Sequence, residues 1–142
     1  MSSFAAPDIP RLLVVDDEAS IRALVRRVLT DGGYDVTVAA DGSEALRLVD
    51  GQTGPFDLFV LDIMMPSMSG DELGRRLRQQ NPDAKLLYFT GYSDRLFEQR
   101  PTLWQDEAFL DKPVSPNGLL EAVSLLLYGH TQGPAVGRSP AA

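Results

Sequence analysis

Cysteine is missing from all 142 residues, which removes disulfides, thiolate nucleophiles and zinc-thiolate sites from consideration. Lysine is nearly missing too, occurring only as Lys85 and Lys112. Lys plus Arg total 13 against 20 Asp plus Glu, for a net charge of -7. That balance argues against a nucleic-acid surface, because following a phosphate backbone needs clustered basic side chains. Long apolar runs are absent as well. No stretch approaches the roughly 20 apolar residues of a membrane span, and residues 1–10 lack the basic start and apolar core of a secretory signal. A cytoplasmic protein without membrane contact is the expectation. Internal repeats and low-complexity blocks are likewise absent from the body of the chain.

What remains is 44% hydrophobic, enough over this length for one globular domain with a real core. Residues 1–10 and 129–142 are rich in Ala, Gly, Pro and Ser, and are expected to be flexible flanks around a domain at 11–128. The organising stretch is Asp57 to Gly70. Its run Leu58 to Leu61 shows no polar alternation and includes β-branched Val60, so it reads as a strand buried on both faces, as in a parallel sheet under helices. In such sheets chemistry collects beyond the carboxyl ends of strands, where Asp62 falls, ahead of a loop containing Pro66 and Gly70. Taken alone, Asp62 reads better as a turn cap.

The rest of the chain supplies its company. Arg11 to Val15 is a second buried strand that ends in acid, Asp16-Asp17-Glu18. Ile21, Leu24, Val25, Val28 and Leu29 then recur at helical spacing, with Arg22, Arg26 and Arg27 on the other side, until Gly32-Gly33 stops the helix. Asp35 to Ala40 is the next strand. Asp41 to Glu44 opens a helix like a capping box, with Ala45, Leu48 and Val49 inward, and Ser69 to Glu72 repeats that arrangement. In this later helix Leu73 and Leu77 are expected inside and Arg75, Arg76 and Arg78 outside, as a solvated face. Asn81-Pro82 breaks it, Lys85 to Thr90 forms the fourth strand, and Ala108 to Leu110 a minimal fifth. Between them a helix is expected from Ser93, but Pro101 removes a backbone donor within it. Ser115-Pro116 starts the last helix, Leu119, Leu120, Val123 and Leu127 face the core, and Gly129 ends it. Strands alternating with helices imply a doubly wound parallel sheet with right-handed crossovers.

Four strand exits thus carry polar groups to one sheet edge: Asp16 and Asp17, Asp62, Thr90, and Lys112. Each has a dull explanation by itself, as cap, turn hydroxyl or surface lysine. Together, Asp16-Asp17, Asp62 within Asp62-Ile63-Met64-Met65-Pro66-Ser67-Met68-Ser69-Gly70, Thr90-Gly91 and Lys112-Pro113 resemble the receiver domain of bacterial two-component response regulators, from about Arg11 to Tyr128. The resemblance implies an α/β, flavodoxin-like fold with five parallel strands in the order 2-1-3-4-5. It also implies that Asp62 accepts a phosphoryl group from a histidine kinase or histidine phosphotransfer protein, and that the product signals through a downstream protein partner.

By the same resemblance, a magnesium or manganese ion is held by Asp17 and Asp62, by Asp16 largely through water, and by the backbone carbonyl of Met64. Lys112 pairs with a phosphoryl oxygen and the Thr90 hydroxyl donates to another. Thr90 and Phe109 form the switch pair, and Met64 and Tyr92 set the lifetime of the phosphoryl group. Both are large, and neither side chain is suited to orient an attacking water, so slow self-dephosphorylation is expected. Gln105-Asp106-Glu107 replaces a Gly-Ala pair frequent in the family, so with Pro101 a short or irregular fourth helix is expected between Ser93 and Trp104, with Trp104 as core filler. Phe109 to Pro116 resembles receivers appended to hybrid kinases, whereas the start at Met1 speaks against a carboxyl-terminal receiver of a hybrid kinase; a stand-alone receiver and a receiver ending at a linker are the two expectations.

The chemistry fits independently: a carboxylate attacking a phosphoryl group needs fixed positive charge to relieve anion against anion. Such a chain is a phosphoacceptor rather than a conventional enzyme. A haloacid-dehalogenase-type phosphatase would have two Asp with one residue between them after the first strand, but Asp16 and Asp17 are adjacent. A flavodoxin would need a Ser/Thr/Gly phosphate cradle where this chain has Asp16-Asp17-Glu18. The remaining alternative is a degenerate receiver acting only as an interaction module, against which the complete acceptor set speaks.

Overall fold

A computed structural model describes residues 9–51, 55–90, 106–113 and 115–129. The expectations for the helix between Ser93 and Trp104, for Pro101, Tyr92 and Gly91, and for the Thr90 side chain lie outside these residues. The strands are β1 (Arg11–Val15), β2 (Asp35–Ala39), β3 (Leu58–Asp62), β4 (Leu86–Thr90) and β5 (Glu107–Asp111). All pairings are parallel, in the order β2-β1-β3-β4-β5. The described helices are α1 (Ala19–Asp31), α2 (Gly42–Asp50), α3 (Gly70–Gln80) and α4 (Pro116–Tyr128).

The unbroken apolar runs work as the parallel-sheet argument requires. Alternate residues of one strand feed opposite cores: Leu13, Val15, Phe59, Leu61, Leu86 and Tyr88 pack with Leu73 and Leu77 of α3. Leu12, Val14, Leu58, Val60, Leu87 and Phe89 pack on the other face with Val25, Leu29, Leu119 and Val123 of α1 and α4. All five residues of β3 are buried, Asp62 included.

Local chemistry sets the helix ends. Asp41 Oδ1 accepts the Glu44 amide at 2.8 Å, while Glu44 Oε1 accepts the Ala40 amide at 2.7 Å, so the capping box closes one residue earlier than expected. At α3 only half the box forms: Ser69 Oγ accepts from the Glu72 amide, but Glu72 turns its carboxylate to Arg75 and Arg76. Ser115 caps α4, Pro116 occupies its first turn, and Gly129 ends it at φ 78°, the left-handed region that favours glycine.

Several sequence expectations need correction. β5 gains a residue at each end, β4 starts at Leu86, and β2 stops at Ala39. Leu24 is 46% exposed rather than inward, because Val25 and Leu29 centre the buried stripe of α1. Arg78 is not a solvated side chain. It reaches under the sheet edge, donating to the Ala84 and Asp106 carbonyls and pairing with buried Glu107. Arg22 likewise turns toward the strand exits instead of solvent.

Candidate functional site

The site grows from three strand ends. β1 and β3 are paired with Val15 opposite Leu61, so their next residues, Asp16 and Asp62, emerge side by side. Both are almost fully excluded from water, at 1% and 2% relative exposure, while Asp17 is exposed. Carboxylate oxygens of Asp16, Asp17 and Asp62 lie within 4.8 Å of one another. From the end of β5, Lys112 reaches across to place its Nζ 3.2 Å from Asp62 Oδ1 and 3.4 Å from Asp16 Oδ2. Glu18 Oε1 stands farther off, 3.8 Å from the same ammonium.

Main-chain donors hold the acids in place. The Glu18 amide donates to Asp16 Oδ1 at 2.9 Å and the Met64 amide to Asp62 Oδ1 at 3.3 Å. Among the described residues, Asp16 Oδ2 is buried without a well-aligned hydrogen-bond partner, and the Lys112 ammonium stands 3.4 Å from it. The β3–α3 loop is drawn tight beside Asp62. The Gly70 amide donates to the Ile63 carbonyl at 2.9 Å, and a Cβ on Gly70 would overlap the Asp62 carbonyl. Gly70→Ala should therefore shift the acceptor strand end. A loss on the order of 1–3 kcal/mol is expected, with slower phosphoryl uptake; an unchanged urea midpoint would contradict this reading.

Burial raises the Asp62 carboxyl from 3.8 to about 6, the Asp16 charge adds to the rise, and Lys112 opposes it. Burial alone would lower the Lys112 ammonium, but the Asp16 and Asp62 carboxylates outweigh it and raise its pKa. Among the described residues, one ammonium faces three carboxylates, which leaves the cluster short of positive charge. Three carboxylates with a buried oxygen lacking a hydrogen bond suit a hard divalent cation, which prefers oxygen donors.

The response regulator receiver domain, as a family model, matches residues 12–124. This chain belongs to that family. The receiver is 36% identical over 116 residues to the sensor kinase CckA of Brucella abortus, covering 82% of this chain and 12% of that protein. It is 31% identical over 117 residues to the response regulator receiver protein CpdR of the same organism, covering 82% of this chain and 96% of that one. Among solved structures, the response regulator TrrA of Thermotoga maritima, in complex with Mg(2+)-BeF, aligns with TM-score 0.73 and 36% identity, over 84% of this chain and all of the other. The receiver spans only about half the length, or less, of several curated relatives.

Receivers are phosphoacceptor domains of two-component signal transduction, and as a family they interact with histidine kinases and phosphotransfer proteins. Family membership sets aside the phosphatase and flavodoxin readings. The structure brings Asp16, Asp17, Asp62 and Lys112 of the expected site together. Met64 stands beside Asp62, 54% exposed. Phe109 is partly buried and stacks on Tyr88, with ring centroids 5.1 Å apart. Two residues were not singled out from the sequence. Glu18 shares Lys112, and Arg22 donates from one guanidinium nitrogen to the Asp16 carbonyl at 2.7 Å. Their i, i+4 spacing at the start of α1, directly after the acidic pair, is the signal that could have revealed them.

Proposed function

We propose that the receiver, residues 11–128, takes a phosphoryl group on Asp62 from a histidine kinase or phosphotransfer protein in the cytoplasm and signals through a downstream protein partner. The observation that carries this reading is the buried Asp62 carboxylate, 3.2 Å from Lys112 and beside two further acids. An Asp62 oxygen forms a bond to phosphorus as the bond from phosphorus to the donor histidine nitrogen breaks. The imidazole leaves with the bonding electrons and is reprotonated by water. Lys112, already shared between Asp16 and Asp62, supplies fixed positive charge for the phosphoryl oxygens.

Asp16, Asp17 and Asp62, with the Met64 carbonyl, would hold magnesium or manganese. When bound, such an ion neutralises charge between the incoming oxygens and the carboxylates. Thr90 at the end of β4 is proposed to donate its hydroxyl to the phosphoryl group, and Phe109 to respond as the switch aromatic. The Tyr88 stack makes apolar contact the restraint on Phe109, which has no hydroxyl to satisfy.

The test is direct. Incubation with magnesium and acetyl phosphate should add one phosphoryl mass, lost in alkali as acyl phosphates are, and peptide mapping after borohydride trapping should place it at Asp62. No mass gain, or label on another residue, would refute the assignment.

A further inference from the structure

Asp16 is anchored at four points. Its amide donates to the Ala39 carbonyl at 3.2 Å, its Oδ1 accepts the Glu18 amide, its Oδ2 faces Lys112, and its carbonyl accepts from Arg22 at 2.7 Å. The last anchor differs from the others in what it controls. The Asp16 carbonyl belongs to the peptide that joins Asp16 to Asp17, and a planar peptide fixed at its oxygen constrains the direction in which both flanking side chains leave the backbone. Asp17 is exposed, so packing does not set its direction.

The start of α1 offers no substitute for this anchor. Glu18, at the N-cap, makes no side-chain cap hydrogen bond, and its carboxylate sits instead 3.8 Å from Lys112. Arg22 is attached to the same helical turn through its amide, which donates to the Glu18 carbonyl at 3.0 Å. Backbone and side chain of Arg22 together tie α1 to the exit of β1.

We infer that Arg22 is a positioning residue for the divalent-cation site: by holding the Asp16–Asp17 peptide plane it presents the Asp17 carboxylate to the ion that Asp16 and Asp62 share. The inference rests on the cation site proposed above. Charge and geometry make opposite demands here, which is what makes the role testable. Near a cation site, a guanidinium acting by charge alone repels the ion, so deleting it would tighten binding. A guanidinium acting through the peptide plane strengthens binding, so deleting it weakens it. The Arg22 guanidinium meets the backbone oxygen of Asp16, so its action is on shape.

Calorimetric titration of the full chain with magnesium chloride distinguishes these cases. Arg22→Met should raise the magnesium dissociation constant about tenfold, the size expected when a group that orients a metal ligand is lost. Arg22→Lys, which keeps a donor able to reach a carbonyl, should recover most of that loss, and metal-free thermal midpoints should stay close to that of the native chain. If Arg22→Met does not fold, Arg22→Gln replaces it with the same expectation. Unchanged or tighter magnesium binding in the Met or Gln variant overturns the inference, as does an Arg22→Lys variant as weak as Arg22→Met. If the native chain itself binds no magnesium, the cation-site reading fails with it; if the native chain binds and the variants match it, only the role of Arg22 fails.

Discussion

Asp62→Asn should abolish phosphoryl uptake from acetyl phosphate and, in the same variant, stabilise the metal-free protein at neutral pH. The two effects share one cause. Burial and the Asp16 charge hold the Asp62 carboxyl near 6 in the folded state, above its ordinary 3.8. Folding therefore favours the protonated form. Its contribution is fully present below pH 4 and is lost as the pH rises through 6, to a total on the order of 3 kcal/mol. The amide carries no charge and should escape this loss, so chemical denaturation with chelator present should show a native chain weakening from pH 4 to pH 7 and a variant that stays flatter. Magnesium should restore the native chain and do little for the variant, because ion binding acts only on the state that presents the ligands. A variant less stable than the native chain at pH 7 without metal would contradict the proposed electrostatics.

Arg78→Leu should be the most destabilising single change outside the acidic site. The Arg78 and Glu107 side chains are 14% and 2% exposed and 3.2 Å apart. The same guanidinium donates to the Ala84 carbonyl at 3.1 and 3.0 Å and to the Asp106 carbonyl at 3.1 Å. It thus joins α3 to the starts of β4 and β5, where Asp106 holds a left-handed φ of 65° and pairs with Lys85 at 3.3 Å. Removing that cation leaves the Glu107 carboxylate in a site nearly closed to water, which costs roughly 3–5 kcal/mol. Arg78→Leu with Glu107→Leu should recover much of it, since the buried charge goes as well. Urea unfolding of the three variants checks this, and a double variant no better than Arg78→Leu would mean that the carbonyl bonds, not the ion pair, dominate.

The two clusters differ in how far they could be read ahead of the structure. Asp16, Asp17, Asp62 and Lys112 stand at the ends of apolar runs, and in a parallel sheet every such end emerges at the same edge. Linear position therefore carried spatial information. Arg78 lay in a run of arginines whose helical spacing suggested a solvated face, and periodicity cannot tell when a long side chain bends back to meet a buried acid 29 positions away. Leu24 failed for a related reason: spacing gives a stripe, but the contact with α4 and the sheet decides which edge of it is covered.

The doubly covered sheet, the helix starts and the gathering of Asp16, Asp17, Asp62 and Lys112 at one sheet edge were legible in the residues, because each follows from local periodicity, capping chemistry and the direction of parallel strands; the strand order came from the resemblance to receivers. The sharing of Lys112 between two carboxylates, the hydrogen-bond-free Asp16 oxygen, the seating of Gly70 against Asp62, and the turns of Arg22 and Arg78 were left to the tertiary structure. These depend on ångström-scale distances between segments remote in sequence or on one rotamer among many. No pattern along the chain encodes them, and packing alone selects among the alternatives.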